Sequence, residues 1–381
     1  MGLPRDVRRL IVLQVLWGLG FGLIAPIQPL FLASIGAGPT QIGLVFGIGN
    51  IAGGLLILPA GLAADRWGRR LVIIASGLSG TLGALVLVPL ATWEPATVSS
   101  VLYWAGTASL PAMSAHVSAI APRAVLGRAM GLVYGAFFLG FIVASPLAGT
   151  LAAHFGMRAT ILAGAVLFAL STASAFGLDP GRAVRAAATV RFGRPFWLLL
   201  VLAPFGAFVA VLPTPLLPVY VRDIVGSPLE LVGVYVASLS LGSALFSALG
   251  GRLADRYGAA AAVLANAVVL TVGCAMAALL ASNGILVAIA LVLAGANVAS
   301  NPVLAATLER IVPPSRAALG YASFQLVYAI GFGSGGIVAG SLYSEDPRLP
   351  LLVSAAAALP VATVFAVVIA RIVRRTAGAG G

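Results

Sequence analysis

From Arg9 to Asp65 the chain carries no charged residue. That length holds two membrane crossings of about 20 apolar residues each, with a break at the Gly- and Pro-containing segment Gly36–Thr40. The same punctuation continues. Uncharged stretches run between Arg70 and Glu94, Glu94 and Arg123, Arg128 and Arg158, and Arg158 and Asp179. They resume between Arg194 and Arg222, Glu230 and Arg252, Arg256 and Glu309, Arg316 and Glu345, and Arg348 and Arg371. The Arg256–Glu309 stretch is again double, broken at Ser282-Asn283-Gly284, so twelve spans are predicted. In hydrocarbon every backbone polar group needs an internal partner, so spans of this kind can only be helices. The expected fold class is an all-α integral membrane protein.

Composition excludes the other classes. Of the 381 residues 61% are hydrophobic and 8% charged, against about 25% charged in soluble domains. The single Cys274 cannot form an internal disulfide. Net charge is +12, but the cations are spread over loops rather than gathered on one face, which argues against a nucleic-acid partner. Every basic residue is Arg, so no pKa-shifted Lys chemistry exists. With the N-terminus cytoplasmic, all Arg except Arg158, Arg222 and Arg348 fall on the cytoplasmic side. Short Arg-rich loops stay inside, which predicts a multi-pass protein of the cytoplasmic (inner) membrane with both termini cytoplasmic. The first apolar run is too long for a signal-peptide core of about 7–15 residues.

The two halves of the chain repeat. Gly61-Leu-Ala-Ala-Asp65-Arg66-Trp-Gly68 returns 190 residues later as Gly251-Arg-Leu-Ala-Asp255-Arg256-Tyr-Gly258. Pro111 and Pro122 return as Pro302 and Pro313, and Ala25-Pro26-x-x-Pro29 as Thr214-Pro215-x-x-Pro218. The expected domains are a six-helix half at 1–178, a basic cytoplasmic linker at 179–194, and a second six-helix half at 195–381.

On these residues the whole chain resembles the major facilitator superfamily, which has twelve helices in two six-helix halves and cytoplasmic ends. The most specific feature is Gly61-x-x-x-Asp65-Arg66-x-Gly68-Arg69-Arg70, similar to that family's signature loop and present twice. The short chain is most similar to the bacterial drug-efflux branch. The resemblance implies alternating access, with substrate bound near the midplane between the halves. It implies that Gly61, Asp65, Arg66, Gly68 and Arg69, with Asp255, Arg256 and Gly258 in the second copy, form gating loops. Asp65 would latch onto the start of span 11 near Ala317–Gly320, where a helix N-terminus favours a carboxylate; Gly61 and Gly68 would permit close approach. The second copy has Ala259 and Ala260 in place of the trailing Arg pair, which implies a weaker latch. The Arg residues serve equally well as topology anchors.

Small residues four apart let helices approach. Span 2 has Gly43/Gly47 and Gly49/Gly53, span 5 has Gly131/Gly135, and span 11 has Gly331/Gly335 and Gly336/Gly340. The resemblance pairs spans 2 with 11 and 5 with 8 across the halves; packing within one half is the other reading. Pro in spans 1, 4, 5, 7 and 10 can kink them. For the substrate cavity, Gln14, Trp17, Phe21 and Gln28 share one face of span 1. Asn50 is a lone amide in span 2. Tyr103 and Thr107 share a face of span 4 with Ser114 and Ser118; Asn297, Ser300 and Asn301 cluster in span 10; Tyr321, Gln325, Tyr328 and Phe332 stripe span 11. Polar groups in lipid are costly unless satisfied, so these faces are expected inward, although a single Ser, Thr or Asn can bond its own helix. An aromatic and amide lining suits an amphipathic or largely apolar small molecule.

No charge lies mid-span, which argues against phosphate or dicarboxylate substrates. Span 4 lacks the Arg of the family's proton-coupled exporters, and span 5 carries Ser145-Pro146-Leu-Ala-Gly149-Thr150 where their pattern ends Gly-Pro-x-x-Gly-Gly. Asp65 and His116 are the candidate proton carriers, and a packed neutral His116 is the plainer reading of that residue. Glu309 beside Arg310 reads as a surface pair. No HExxH, GxSxG or intramembrane Asp pair is present, so no enzyme, metal or cofactor is expected. The expected function is a monomeric secondary transporter in the lipid bilayer, exporting a hydrophobic or amphipathic compound with protons as the candidate coupling ion. The alternative is an uncoupled facilitator or importer of a small neutral solute such as a sugar or amino-acid-like compound.

Overall fold

The structure, a computed structural model, describes residues 3–122, 125–180, 192–312 and 317–378. The side chains of residues 65, 310, 317–318 and 373–378 lie outside that description, as does most of the linker expected at 179–194.

Among the described residues, eleven helices are long and apolar enough to cross a membrane. They are span 1 (Arg5–Ser34), span 2 (from Pro39), span 3 (Arg69–Leu87), span 5 (Leu126–Phe155), span 6 (Met157–Ala175), span 7 (Arg194–Val211), span 8 (Leu229–Tyr257), span 9 (Ala259–Leu279), span 10 (Gly284–Glu309), span 11 (from Leu319) and span 12 (from Leu349). Span 4 is the remaining crossing, at 96–120, and is interrupted by one turn of 3-10 helix at Gly106–Ala108. An even number of crossings puts the first and last spans' outer ends on one side, called here the terminal end.

The interruptions fall at matching places in the two halves. Span 1 breaks between Ile24 and Gln28, and span 7 breaks between Val211 and Leu217 before a short helix Leu217–Asp223. Span 10 changes to 3-10 helix at Gly295–Val298, the counterpart of the break in span 4. Span 5 stays helical through Pro146. Broken helices are tolerated at membrane depth where protein or a cavity surrounds the freed carbonyls. The repeated loops also end alike. Gly68 and Gly258 have φ of 96° and 92°, a region that costs an L side chain dearly. Each donates its N–H to a carbonyl four residues back, Ala64 and Ala254, before the next span begins.

Among the described residues, cross-half packing runs from the end away from the termini to mid-depth, where Gly54 of span 2 meets Ala329 of span 11. A Cβ on Gly43 of span 2 would come within 2.7 Å of the Gly336 carbonyl oxygen and 2.8 Å of Gly340 Cα in span 11. Gly47 likewise meets Gly333, and Thr40 Oγ1 lies 2.9 Å from Ser344 Oγ. Spans 5 and 8 meet through Gly149 against Glu230 and Gly233 against Ser145. No described residue lies within 4 Å of a Cβ built on Gly61, Gly131 or Gly135. Among the described residues this structure therefore shows no close contact at Gly61 and no seam at Gly131/Gly135. Gly49 and Gly53 pack on Ser100 and Trp104 of span 4, and Gly331 and Gly335 on Pro204 and Phe208 of span 7, so those two pairs serve packing within a half.

Candidate substrate pathway

Where the halves diverge, two adjoining cavities open between them. The inner one, at mid-depth, has a volume of about 400 Å³. Gln14, Trp17 and Phe21 of span 1 and Thr107 of span 4 line it, as expected from their spacing. Its aromatic wall is built around Phe21, whose ring centroid lies 5.7 Å from Tyr103, 6.1 Å from Trp104, 5.6 Å from Phe137 and 5.4 Å from Phe141. Trp17 stacks on Phe168 at 4.1 Å, and the missing side chain at Gly106 leaves room for its ring. Centroids at 4.5–7 Å are the favoured separations for aromatic pairs, so this wall is well packed before any ligand enters.

Most hydroxyls around the cavity are already committed. Thr107 donates to the Trp104 carbonyl, Ser109 to Gly106, Ser171 to Leu13, Ser240 to Val236 and Ser243 to Leu239. Tyr134 pairs with Ser114. Gln14 is buried, and among the described residues its amide has no protein partner. Among the described residues, the lining holds no Asp, Glu, His, Lys or Arg. Tyr134, Phe137, Phe138 and Phe141 of span 5 also line the cavity and were missed in the sequence, although their steps of 3, 1 and 3 place Tyr134, Phe137 and Phe141 on one helical face.

The outer cavity, about 730 Å³, lies toward the terminal end. Leu110 and Tyr134 line both cavities, so the two are continuous. Tyr321 and Gln325 of span 11 face this vestibule, with Ser114 and Ser118 of span 4. So do Arg69 from the first signature loop and Glu309 from span 10. Glu309 thus faces the vestibule; the side chain of Arg310, its expected partner, lies outside the described residues.

Other expected cavity residues sit elsewhere. Asn297, Asn301 and Tyr328 line a separate pocket of about 70 Å³ inside the second half, where Asn301 Nδ2 donates to Tyr328 Oη at 3.1 Å and Asn297 Nδ2 to the Ala210 carbonyl at 2.9 Å. Asn50 donates to the Phe46 carbonyl of its own helix at 3.0 Å and lines neither cavity. Tyr103 is buried behind Phe21 rather than facing the space. Gln28 lies beyond the break in span 1, so the extrapolated helical face does not carry it to the cavity.

Of the gating residues, Gly68 makes the turn described above, Arg66 is exposed, and Arg69 reaches the vestibule. The side chain of Asp65 lies outside the described residues, as do the side chains of Ala317 and Ala318. In the second copy Asp255 is exposed and Arg256 lies 5.2 Å over the Tyr257 ring. His116 is buried away from both cavities. Its Nε2 lies 3.1 Å from Oδ2 of Asp6, which also accepts the Asp179 backbone N–H at 2.9 Å. Asp6 escaped the sequence reading because one acidic residue among four N-terminal charges looks like surface.

A model of the major facilitator superfamily matches residues 10–239, with a second match at 197–380. The chain belongs to the major facilitator superfamily. Among curated relatives of this superfamily member, the multi-drug resistance efflux pump PmrA of Streptococcus pneumoniae is 28% identical over 264 residues, 64% of this chain. The chain spans 65% of the length of that relative. Multidrug resistance protein MdtG of Yersinia enterocolitica is 27% identical over 64% of this chain and 63% of its own. A variant of the nucleoside transporter NupG superposes with a TM-score of 0.80 at 15% identity, covering 95% of this chain and 99% of that one, which shows a shared fold.

Proposed function

We propose that the protein is a secondary transporter of the inner membrane that exports a hydrophobic or amphipathic small molecule by alternating access. The observation that carries this reading is the aromatic cavity around Phe21. Its described residues offer a solute a largely apolar surface, one uncommitted amide at Gln14, and no charge. Pockets of this kind bind apolar bodies and orient them with a few polar groups. The relatives named as efflux pumps support the same class of cargo. The distribution of Arg supports cytoplasmic termini; the packed far end and open terminal end then make this the inward-facing state, from which an exporter loads. In this reading the chain works as a monomer in the bilayer.

Proton coupling is part of the proposal. Because the inner cavity has no group that titrates near neutrality, the proton acts from outside it. Asp65 is the first candidate. His116, locked to Asp6 inside one half, is placed to hold that half together rather than to carry a proton across. Purified protein in liposomes tests the reading. Under an imposed pH gradient, a bis-benzimide dye is expected to accumulate against its own gradient. Equilibration without accumulation would remove coupling. Failure to move the dye, with rapid equilibration of a sugar or amino acid, would replace the export reading by the facilitator reading.

A further inference from the structure

A cavity of about 470 Å³ at the terminal end lies outside the pathway, between the start of span 1 and the end of span 6. Arg5, Arg8 and Arg9 line it, with Val12, Ser174 and Gly177. The three cations are held differently. Arg9 lies 3.6 Å from Asp6 and across Gly177, where a side chain would meet its guanidinium at 3.0 Å. Asp6 is itself buried and held by His116 and the Asp179 N–H. One Arg is thus fixed by a buried carboxylate. Arg5 and Arg8 are exposed, and among the described residues neither has an acidic partner. The groove therefore keeps an excess of positive charge.

Below the Arg residues the surface turns apolar. Arg5, Arg8 and Val12 follow one face of span 1, and Val12 is 53% exposed. On the adjoining span 6, Leu162, Val166 and Leu170 recur every four residues and are 44%, 50% and 52% exposed. A cationic groove at the membrane surface with an apolar strip continuing toward the bilayer centre matches one kind of molecule, an anion attached to acyl chains. We propose that this groove is a binding site for an anionic phospholipid, with Arg5 and Arg8 on the phosphodiester and Val12 and the span 6 strip against an acyl chain. A free phosphate would satisfy the cations and leave the strip unused. The site shares no residue with the pathway, so the assignment stands independently of the cargo.

The test uses the full chain in detergent micelles. Its unfolding midpoint is followed while dioleoylphosphatidylglycerol, dioleoylphosphatidylcholine or inorganic phosphate is added. Phosphatidylglycerol is expected to raise the midpoint saturably, and the other two are not. Each Arg near an anionic headgroup contributes about fivefold in affinity, so Arg5→Gln/Arg8→Gln should need about 25-fold more phosphatidylglycerol for the same shift. Arg5→Lys/Arg8→Lys should keep most of the response. Arg371→Gln, another terminal-end cation, should leave it unchanged. Equal responses to the two lipids would overturn the site. So would an Arg5→Gln/Arg8→Gln response equal to wild type, or one lost equally in Arg371→Gln. A response to inorganic phosphate matching that of phosphatidylglycerol would show a free-anion site and overturn the lipid assignment.

Discussion

In the alternating-access cycle proposed above, the contact between Gly43 and span 11 belongs to one state, so filling it should shift the cycle. Gly43→Ala adds one Cβ, which meets the Gly336 carbonyl oxygen at 2.7 Å and Gly340 Cα at 2.8 Å. Comfortable carbon contacts lie at about 3.5–4.0 Å. Both neighbours are backbone, so no rotamer change relieves the clash; spans 2 and 11 must part by roughly 0.7 Å or more there. Overpacking of this kind costs about 1–3 kcal/mol. In the opposite state of the proposed cycle the two far ends would separate and the cost would vanish. The equilibrium between inward- and outward-facing forms should therefore move about 5- to 150-fold toward outward-facing. Two readouts report it. Labelling of a Ser118→Cys reporter in the vestibule by an impermeant maleimide should slow, against the low background of the buried Cys274. Crosslinking of a Thr40→Cys/Ser344→Cys pair at the far end should fall in parallel. Gly131→Ala, whose Cβ would meet nothing within 4 Å, is the control and should change neither. A folded Gly43→Ala protein with both readouts unchanged would refute the reasoning, as would an equal effect from Gly131→Ala.

Phe21→Ala should weaken dye binding or alter which dyes are bound, because it removes the centre of the aromatic wall. Leu23→Ala, in the buried core behind it, should lower the unfolding midpoint, at about 2–5 kcal/mol, without changing affinity; the reverse pattern in binding titrations would make Phe21 mere packing. Asp65→Asn should reduce turnover while leaving substrate affinity near wild type, and wild-type turnover would exclude a latch role. His116→Ala removes one partner of the buried Asp6, which keeps the Asp179 N–H and Arg9, and should cost about 1–3 kcal/mol. Proton-driven transport per folded molecule should survive it, and loss of coupling at full stability would return His116 to the list of carriers.

Much of the architecture was legible because membrane folding is local in its first step. Each span must satisfy its own backbone and present an apolar surface to lipid, so the uncharged run between Arg9 and Asp65 announced its two crossings unaided. The duplicated Asp-Arg loops revealed the repeat for the same reason: Gly68 and Gly258 make the same turn wherever their halves pack. Periodicity also picked out the inner-cavity residues that lie on unbroken helix, Gln14, Trp17 and Phe21. It failed at Gln28, because the break after Ile24 resets the helical face.

What remained was decided by the rotation of each span about its axis, which depends on its neighbours rather than on its own residues. Gly43 and Gly49 look alike in sequence, yet one meets the other half and the other meets span 4. Asn297, Asn301 and Tyr328 have the chemistry of a substrate site but turn into the second half's interior and bond to it. Asp6 and His116 stand 110 positions apart, and only the packing of span 1 against span 4 makes them a pair. Lipid exposure, helix length and repeat symmetry are properties of one segment at a time. The shape of a cavity between two halves is a property of all their orientations together, so it came only with the tertiary structure.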